Sequence, residues 1–142
     1  MAFNPNQSTL AGCMQELRDI QKEFGLDTGR ILTSRDPVIR KLAYDQLNVS
    51  NVPDGFTKTR LPVFFSDPTT LYISAGAPGV KVPRHSHDEG DGIRFMISGS
   101  IHYKDMELTQ GDWMFVPAKA DYEFEVGPMG AVMCYCYSCC CA

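Results

Sequence analysis

The chain is short of several things, and each shortage excludes something. Lys and Arg number 13 against 17 Asp and Glu, a net charge of −4 with no basic stripe, so neither nucleic acid nor an anionic membrane is expected as a partner. No run approaches the roughly 20 consecutive apolar residues of a membrane span. The opening MAFNPNQSTLAGCMQELRD lacks a basic segment followed by an apolar one, so no secretory signal is expected and a cytoplasmic location is. Cysteine is missing between Cys13 and Cys134, and five of the six (Cys134, Cys136, Cys139, Cys140 and Cys141) fall in the last nine positions. A disulfide framework needs partners spread along the chain, so reduced thiols are expected. Histidine is scarce too, at three in 142 residues, yet two of the three stand one residue apart.

What is there reads as two regions. From Thr9 to Phe24 the apolar residues Leu10, Cys13, Met14, Leu17, Ile20 and Phe24 fall at spacings of three and four. Ser8 or Thr9 can cap the start and Gly25 the end, which predicts an amphipathic helix. A second is predicted after Asp36-Pro37, through Val38, Ile39, Leu42 and Leu47. Beyond the turn residues 51–55 the period shortens. Runs at Leu61–Phe65, Thr70–Ala75, Val80–His87, Ile93–Ser98, Ile101–Tyr103, Asp112–Val116, Tyr122–Val126 and Ala131–Tyr137 are separated by Gly and Pro. Eight short strands with regular turn signals predict an all-β sandwich or barrel, with residues 1–60 as a helical extension and 61–142 as the β-domain. The helices' apolar stripes need a cover, either the barrel or a second copy, so a homodimer is expected.

The stretch that holds the chemistry runs from Gly79 to Tyr122. On a strand, His85 and His87 share a face because side chains alternate with period two. Two convergent imidazoles begin either a metal site or an acid/base pair. Asp91 and Glu89 are the nearest carboxylates, in the loop 88–92 whose glycines let an acid turn inward. If position 92 faces inward, alternation sends Arg94 and Met96 inward as well. Arg94 would then need an anion, such as a substrate carboxylate or enolate, whereas an outward Arg94 would pair across strands. Arg84 has the opposite parity to His85 and is expected outside, and His102 is expected at the surface. The last strand must turn inward either Tyr135 and Tyr137 or Cys134 and Cys136.

These residues resemble the cupin superfamily of small jelly-roll barrels. Gly79, His85, His87 and Gly99 match that family's first motif in register, and Gly111 and Pro117 match its second. The resemblance covers about the last 80 residues and implies a cupin jelly-roll barrel. It also implies one divalent ion, Fe, Mn, Ni or Zn among others, held by three histidines and a glutamate. His85 and His87 carry over. The glutamate slot falls on Asp91 or Gly92 depending on the gap counted, and Tyr122 stands where the third histidine belongs. The metal set expected here is therefore His85 and His87 with Asp91 or Glu89, beside Tyr122 and Arg94 as catalytic groups.

The expected function is that of a small cupin enzyme acting on a small polar or carboxylate-bearing metabolite. Metal-assisted lyase, isomerase, cyclase or dioxygenase chemistry all occur on this fold, which does not select among them. Two alternatives stand beside it: a non-catalytic module that binds a small ligand or metal, and a metal-free acid/base enzyme using His85 or His87 with Tyr122.

Overall fold

The computed structural model describes residues 4, 6–54, 56–65 and 67–138. Cys139, Cys140 and Cys141 lie outside them. The chain divides into two compact units, Met1–Asp27 with Asp36–Phe64, and Thr28–Arg35 with Phe65–Ala142.

The first unit carries both helices. Helix α1 is Leu10–Glu23, and the Thr9 hydroxyl accepts a hydrogen bond from the Gly12 amide at 3.0 Å. Helix α2 is Pro37–Asp45; Pro37 opens it, where its missing N–H costs no bond. The stripes read from the sequence are buried at Leu17, Ile20, Ile39 and Leu42. The strand predicted at Leu61–Phe65 does not form. Pro62 has no N–H to give a ladder, and its carbonyl accepts from Gln21 Nε2 at 2.8 Å.

The second unit is one antiparallel sheet of β1 (Leu32–Thr33), β2 (Thr70–Gly76), β3 (Lys81–His85), β4 (Gly92–Tyr103), β5 (Met106–Thr109), β6 (Trp113–Val116) and β7 (Tyr122–Tyr137). The order is β1-β6-β4-β7-β2, with β3 also on β7 and β5 also on β4. Two pairs of predicted short strands are each one long strand, β4 and β7. Register shifts break the β4–β7 ladder on either side of Gly99, between Met96 and Ser98 and again between Gly99 and Ile101. At Gly99 φ is +71°, and a Cβ there would lie 2.0 Å from the Gly130 carbonyl oxygen. Only glycine fits such a bulge, and the extra residue reverses the strand's parity. Met96 is inward before it, Ile101 and Tyr103 after it. On β7 the inward set changes likewise from Tyr122, Phe124 and Val126 to Ala131 and Met133.

Each long strand thus serves two half-sheets that fold over one another as a jelly roll. One half joins Gly92–Met96 to β6, the end of β7 and β2; the other joins Ser100–Tyr103 to β5, the start of β7 and β3. The core lies between them, from Met96, Ile101, Leu108, Met114, Phe124, Val126 and Met133. The sheet's outer edge is β2, where Leu71 and Ile73 are each 70% exposed.

Strand β1 comes from the region read as helical extension, and its attachment is polar. Asp112 accepts from Ser34 Oγ at 2.8 Å, Arg35 Nε at 2.9 Å and the Thr109 amide at 2.9 Å. Burial pushes its carboxyl up, but the bonds from Thr109, Ser34 and Arg35 outweigh it and hold the group below the usual carboxylate range. A carboxyl depressed in the folded state contributes stability above its unfolded value of about 4 and loses it as pH falls through the folded value. Asp112→Ala is therefore expected to lower unfolding stability by about 2 kcal/mol at neutral pH. Urea unfolding should show the gap from wild type closing below about pH 4, and a gap independent of pH would remove the carboxylate from this role.

Candidate functional site

The inner face of the second unit holds a cavity of about 310 Å³. Its floor is β4, β7 and β2, bringing Arg94, Tyr135, Tyr137, Tyr72 and Ser74; its other wall brings Val82, His85, His87, Tyr122 and Phe124.

Strand β3 shows how the histidines arrive there. Val82 pairs with Phe124 and His85 with Tyr122, so the register shifts by one residue between them. Three residues of plain alternation would set Val82 and His85 on opposite faces, and the bulge restores both to the cavity. The strand ends at His85, so His87 follows from the loop. The Lys119 amide donates to the His87 carbonyl at 2.7 Å and anchors that loop. Arg84 faces outward and pairs with Asp121 at 3.2 Å, and His102 is exposed.

The Tyr122 hydroxyl is the hub. His85 Nε2 and His87 Nε2 each lie 3.1 Å from it, Arg94 Nη2 donates to it at 3.2 Å, and Tyr137 Oη is at 3.4 Å. The proton positions follow from one contact. His85 Nδ1 is 2.7 Å from the Pro83 carbonyl oxygen, which can only accept, so Nδ1 carries a proton. In the neutral ring Nε2 is then an acceptor, and the Tyr122 O–H donates to it. A phenol has one proton to give, so His87 and Arg94 both donate to the oxygen's lone pairs. The chain Pro83 carbonyl, His85 and Tyr122 has the form of a base held in one tautomer behind a hydroxyl.

Arg94 is the second feature. The chain positions Gly92, Arg94 and Met96 on one buried face, the inward register weighed above. The guanidinium is 3% exposed and lies over the Tyr135 ring at 3.4 Å, with Phe124 at 4.5 Å. Its Nη1 donates to Met133 Sδ and its Nη2 to the Tyr122 and Tyr137 hydroxyls, while Nε has no hydrogen-bond partner. No carboxylate reaches it among the described residues. Burial pulls its pKa below the usual arginine value, and the two phenols offset this in part. Burial likewise pushes the Tyr137 phenol well up.

The expected carboxylates are elsewhere. Asp91 Oδ1 accepts from the Ala118 amide at 2.9 Å and the Asp91 carbonyl from the Ser138 amide at 2.9 Å, while Glu89 is exposed. The alternative slot, Gly92, is closed by an aromatic ring, since a Cβ there would lie 2.3 Å from Tyr137 Cε1. Among the described residues no three His, Cys, Asp or Glu side chains group around one point. Asp91→Ala is expected to cost about 1 kcal/mol of stability through the lost loop bond. Ligand affinity of the cavity should stay unchanged in the same variant by calorimetric titration.

The bulge at Gly99 lets β4 and β7 each serve two half-sheets that fold over one another. The fold is a jelly roll. No family model matches the chain, and no curated protein does. Among solved structures it is similar to a protein of unknown function with a cupin-like fold from Ralstonia eutropha. They are 19% identical over 50% of this chain and 47% of that one, with a TM-score of 0.44. An RmlC-like cupin from Shewanella frigidimarina is 19% identical over 51% and 68%, with a TM-score of 0.43. KdgF from Halomonas sp. is 16% identical over 54% and 74%, with a TM-score of 0.44. The chain thus spans about half the length of the first of these.

In this barrel the last strand turns its tyrosines inward. Cys134 and Cys136 are free thiols of the other face, and burial raises the Cys136 thiol further. Sequence reasoning named Tyr122 and Arg94 but did not find Ser74 or Phe124, since a serine or phenylalanine in a strand carries no signal of its own.

Proposed function

We propose that the barrel binds a small carboxylate-bearing metabolite and moves a proton on it. The observation that carries this is Arg94, a cation 3% exposed on the cavity wall without a carboxylate among the described residues. A buried charge without a counter-ion is costly, and a ligand carboxylate would offset that cost through charge-assisted bonds. Tyr122, beside Arg94, then meets the bound molecule. As His85 Nε2 draws off the phenol proton, the oxygen takes one from the substrate, and the N–H groups of His87 and Arg94 stabilise the charge on it. In reverse the phenol delivers a proton. Such chemistry suits an isomerase, lyase or cyclase.

A second reading is favoured by the bond that His85 Nδ1–H donates to the Pro83 carbonyl, which keeps the Nε2 lone pair turned toward Tyr122 and the cavity in the manner of a metal-bound histidine. His85 Nε2, His87 Nε2 and Tyr122 Oη would hold a divalent ion, Fe, Mn, Ni or Zn, without Asp91 or Glu89. Bound there, such an ion supplies Lewis acidity or, if iron, dioxygenase chemistry.

Elemental analysis and a ligand screen on one preparation test both. Small carboxylates, unlike their amides, are expected to raise the melting temperature before and after chelation. No carboxylate-dependent shift would set the first reading aside. Stoichiometric metal that is lost in Tyr122→Phe would favour the second. Self-association is proposed to use β2, where Leu71 and Ile73 are each 70% exposed.

A further inference from the structure

Two of the side chains that line the cavity each bury a polar atom without a hydrogen-bond partner: Arg94 its Nε and Ser74 its Oγ. They belong to the strands on either side of β7. Arg94 pairs with Tyr135, Ser74 with Met133, and Tyr72 lies across from Tyr135 on the β2 side. Two strand spacings and a stagger of two residues put these backbone positions about 12 Å apart, a span that the long Arg94 side chain and one small molecule bridge. What lies between is apolar: the Tyr72 ring on one side and Val82 on the other, the Tyr135 ring being covered already by the Arg94 guanidinium. A volume of about 310 Å³ is at the small end for ligand pockets and admits little more than one ring.

Resting on the anion reading above, we propose that Ser74 is a specificity residue. The ligand is a planar, ring-sized carboxylate with a hydroxyl or carbonyl at its far end. Arg94 takes the carboxylate, Tyr72 and Val82 take the flat body, and Ser74 takes the distal oxygen. A buried hydroxyl with no partner costs stability in the free protein, and a matched ligand removes that cost. A ligand lacking the distal group leaves the hydroxyl orphaned, which is how polar sites reject such analogues.

Calorimetric titration of the full chain with benzoate and 4-hydroxybenzoate tests this, using wild type, Ser74→Ala and Arg94→Met. The expected result is about a tenfold preference for 4-hydroxybenzoate in wild type, falling to about parity in Ser74→Ala, with both ligands lost in Arg94→Met. Ser74→Ala should fold at least as stably as wild type, since it removes an orphaned hydroxyl. Both ligands binding through Arg94 with no preference, or with a preference that survives Ser74→Ala, would overturn the role of Ser74 while leaving the anion site standing. Binding of neither, or binding indifferent to Arg94→Met, would overturn the anion site and this inference with it.

Discussion

Tyr122→Phe is expected to reduce turnover of a carboxylate substrate by about 10²–10⁴-fold, the range for loss of one positioned acid/base group. The substitution removes one oxygen, and that oxygen is the common partner of His85, His87, Arg94 and Tyr137. His85 would remain beside the cavity with its Nδ1–H still on Pro83, but with no hydroxyl to draw a proton from. Substrate affinity should change far less, because Arg94 is untouched. A kcat that falls while KM holds is the signature to look for. Unchanged turnover would take Tyr122 out of the chemistry, and a protein that binds but turns over nothing in either form would be a binding module.

Arg94→Met is expected to act in opposite directions on stability and on binding. Carboxylate affinity should fall by 100-fold or more, since the cavity's cation is gone. Unfolding stability should rise by about 1–3 kcal/mol, because a buried guanidinium with no counter-ion is replaced by a side chain of similar reach. The lowered pKa of Arg94 points the same way: folding disfavours its charged form, so the free protein carries the cation at a cost. Part of that cost is returned by stacking on Tyr135 and Phe124, which keeps the expected gain modest. Chemical denaturation and titration of the same preparation read both effects. A destabilised variant would make Arg94 a structural residue of the barrel, held by its rings and phenols.

The pair of variants also separates the two chemical readings of the hub. If Tyr122, His85 and His87 work through protons alone, chelation leaves the wild-type activity in place and Tyr122→Phe removes it. If they hold a divalent ion, chelation and Tyr122→Phe both remove activity, and the metal content of the variant falls with it. Arg94→Met lowers carboxylate affinity under either reading, because its contribution is charge at the cavity wall rather than coordination.

Much of this site was legible in local spacing. The period of two put Arg94 with Met96 and sent Arg84 outward, whereas His87 reaches the cavity from the loop after β3 and not by alternation within it. Helix α1 followed from a period near 3.6, and of the two hydroxyls the sequence offered as its cap, Ser8 and Thr9, the structure uses Thr9. The strand breaks were misread for a physical reason. Glycines at 99 and 130 look like turns from the sequence, yet φ values of +71° and +76° belong here to bulges inside continuous strands. The change of parity at each bulge resembles the end of one strand and the start of another.

What the sequence determined by itself was therefore the class of fold and which neighbours share a face: periodicity, which acts over a few residues, sets Arg94 with Met96, whereas the family resemblance singled out Tyr122 and the register of Arg94 stood open between inward and outward. What only the tertiary structure decided was which of these residues meet. Asp91 stands four residues from His87, near enough in sequence to be a ligand, but the Ala118 amide claims its carboxylate. Tyr137, 45 positions from Gly92 in the chain, fills the space where a carboxylate was expected. Those outcomes depend on bends in β4 and β7 that bring distant segments face to face, and on the competition of buried polar groups for partners, neither of which is encoded within a window of neighbouring residues.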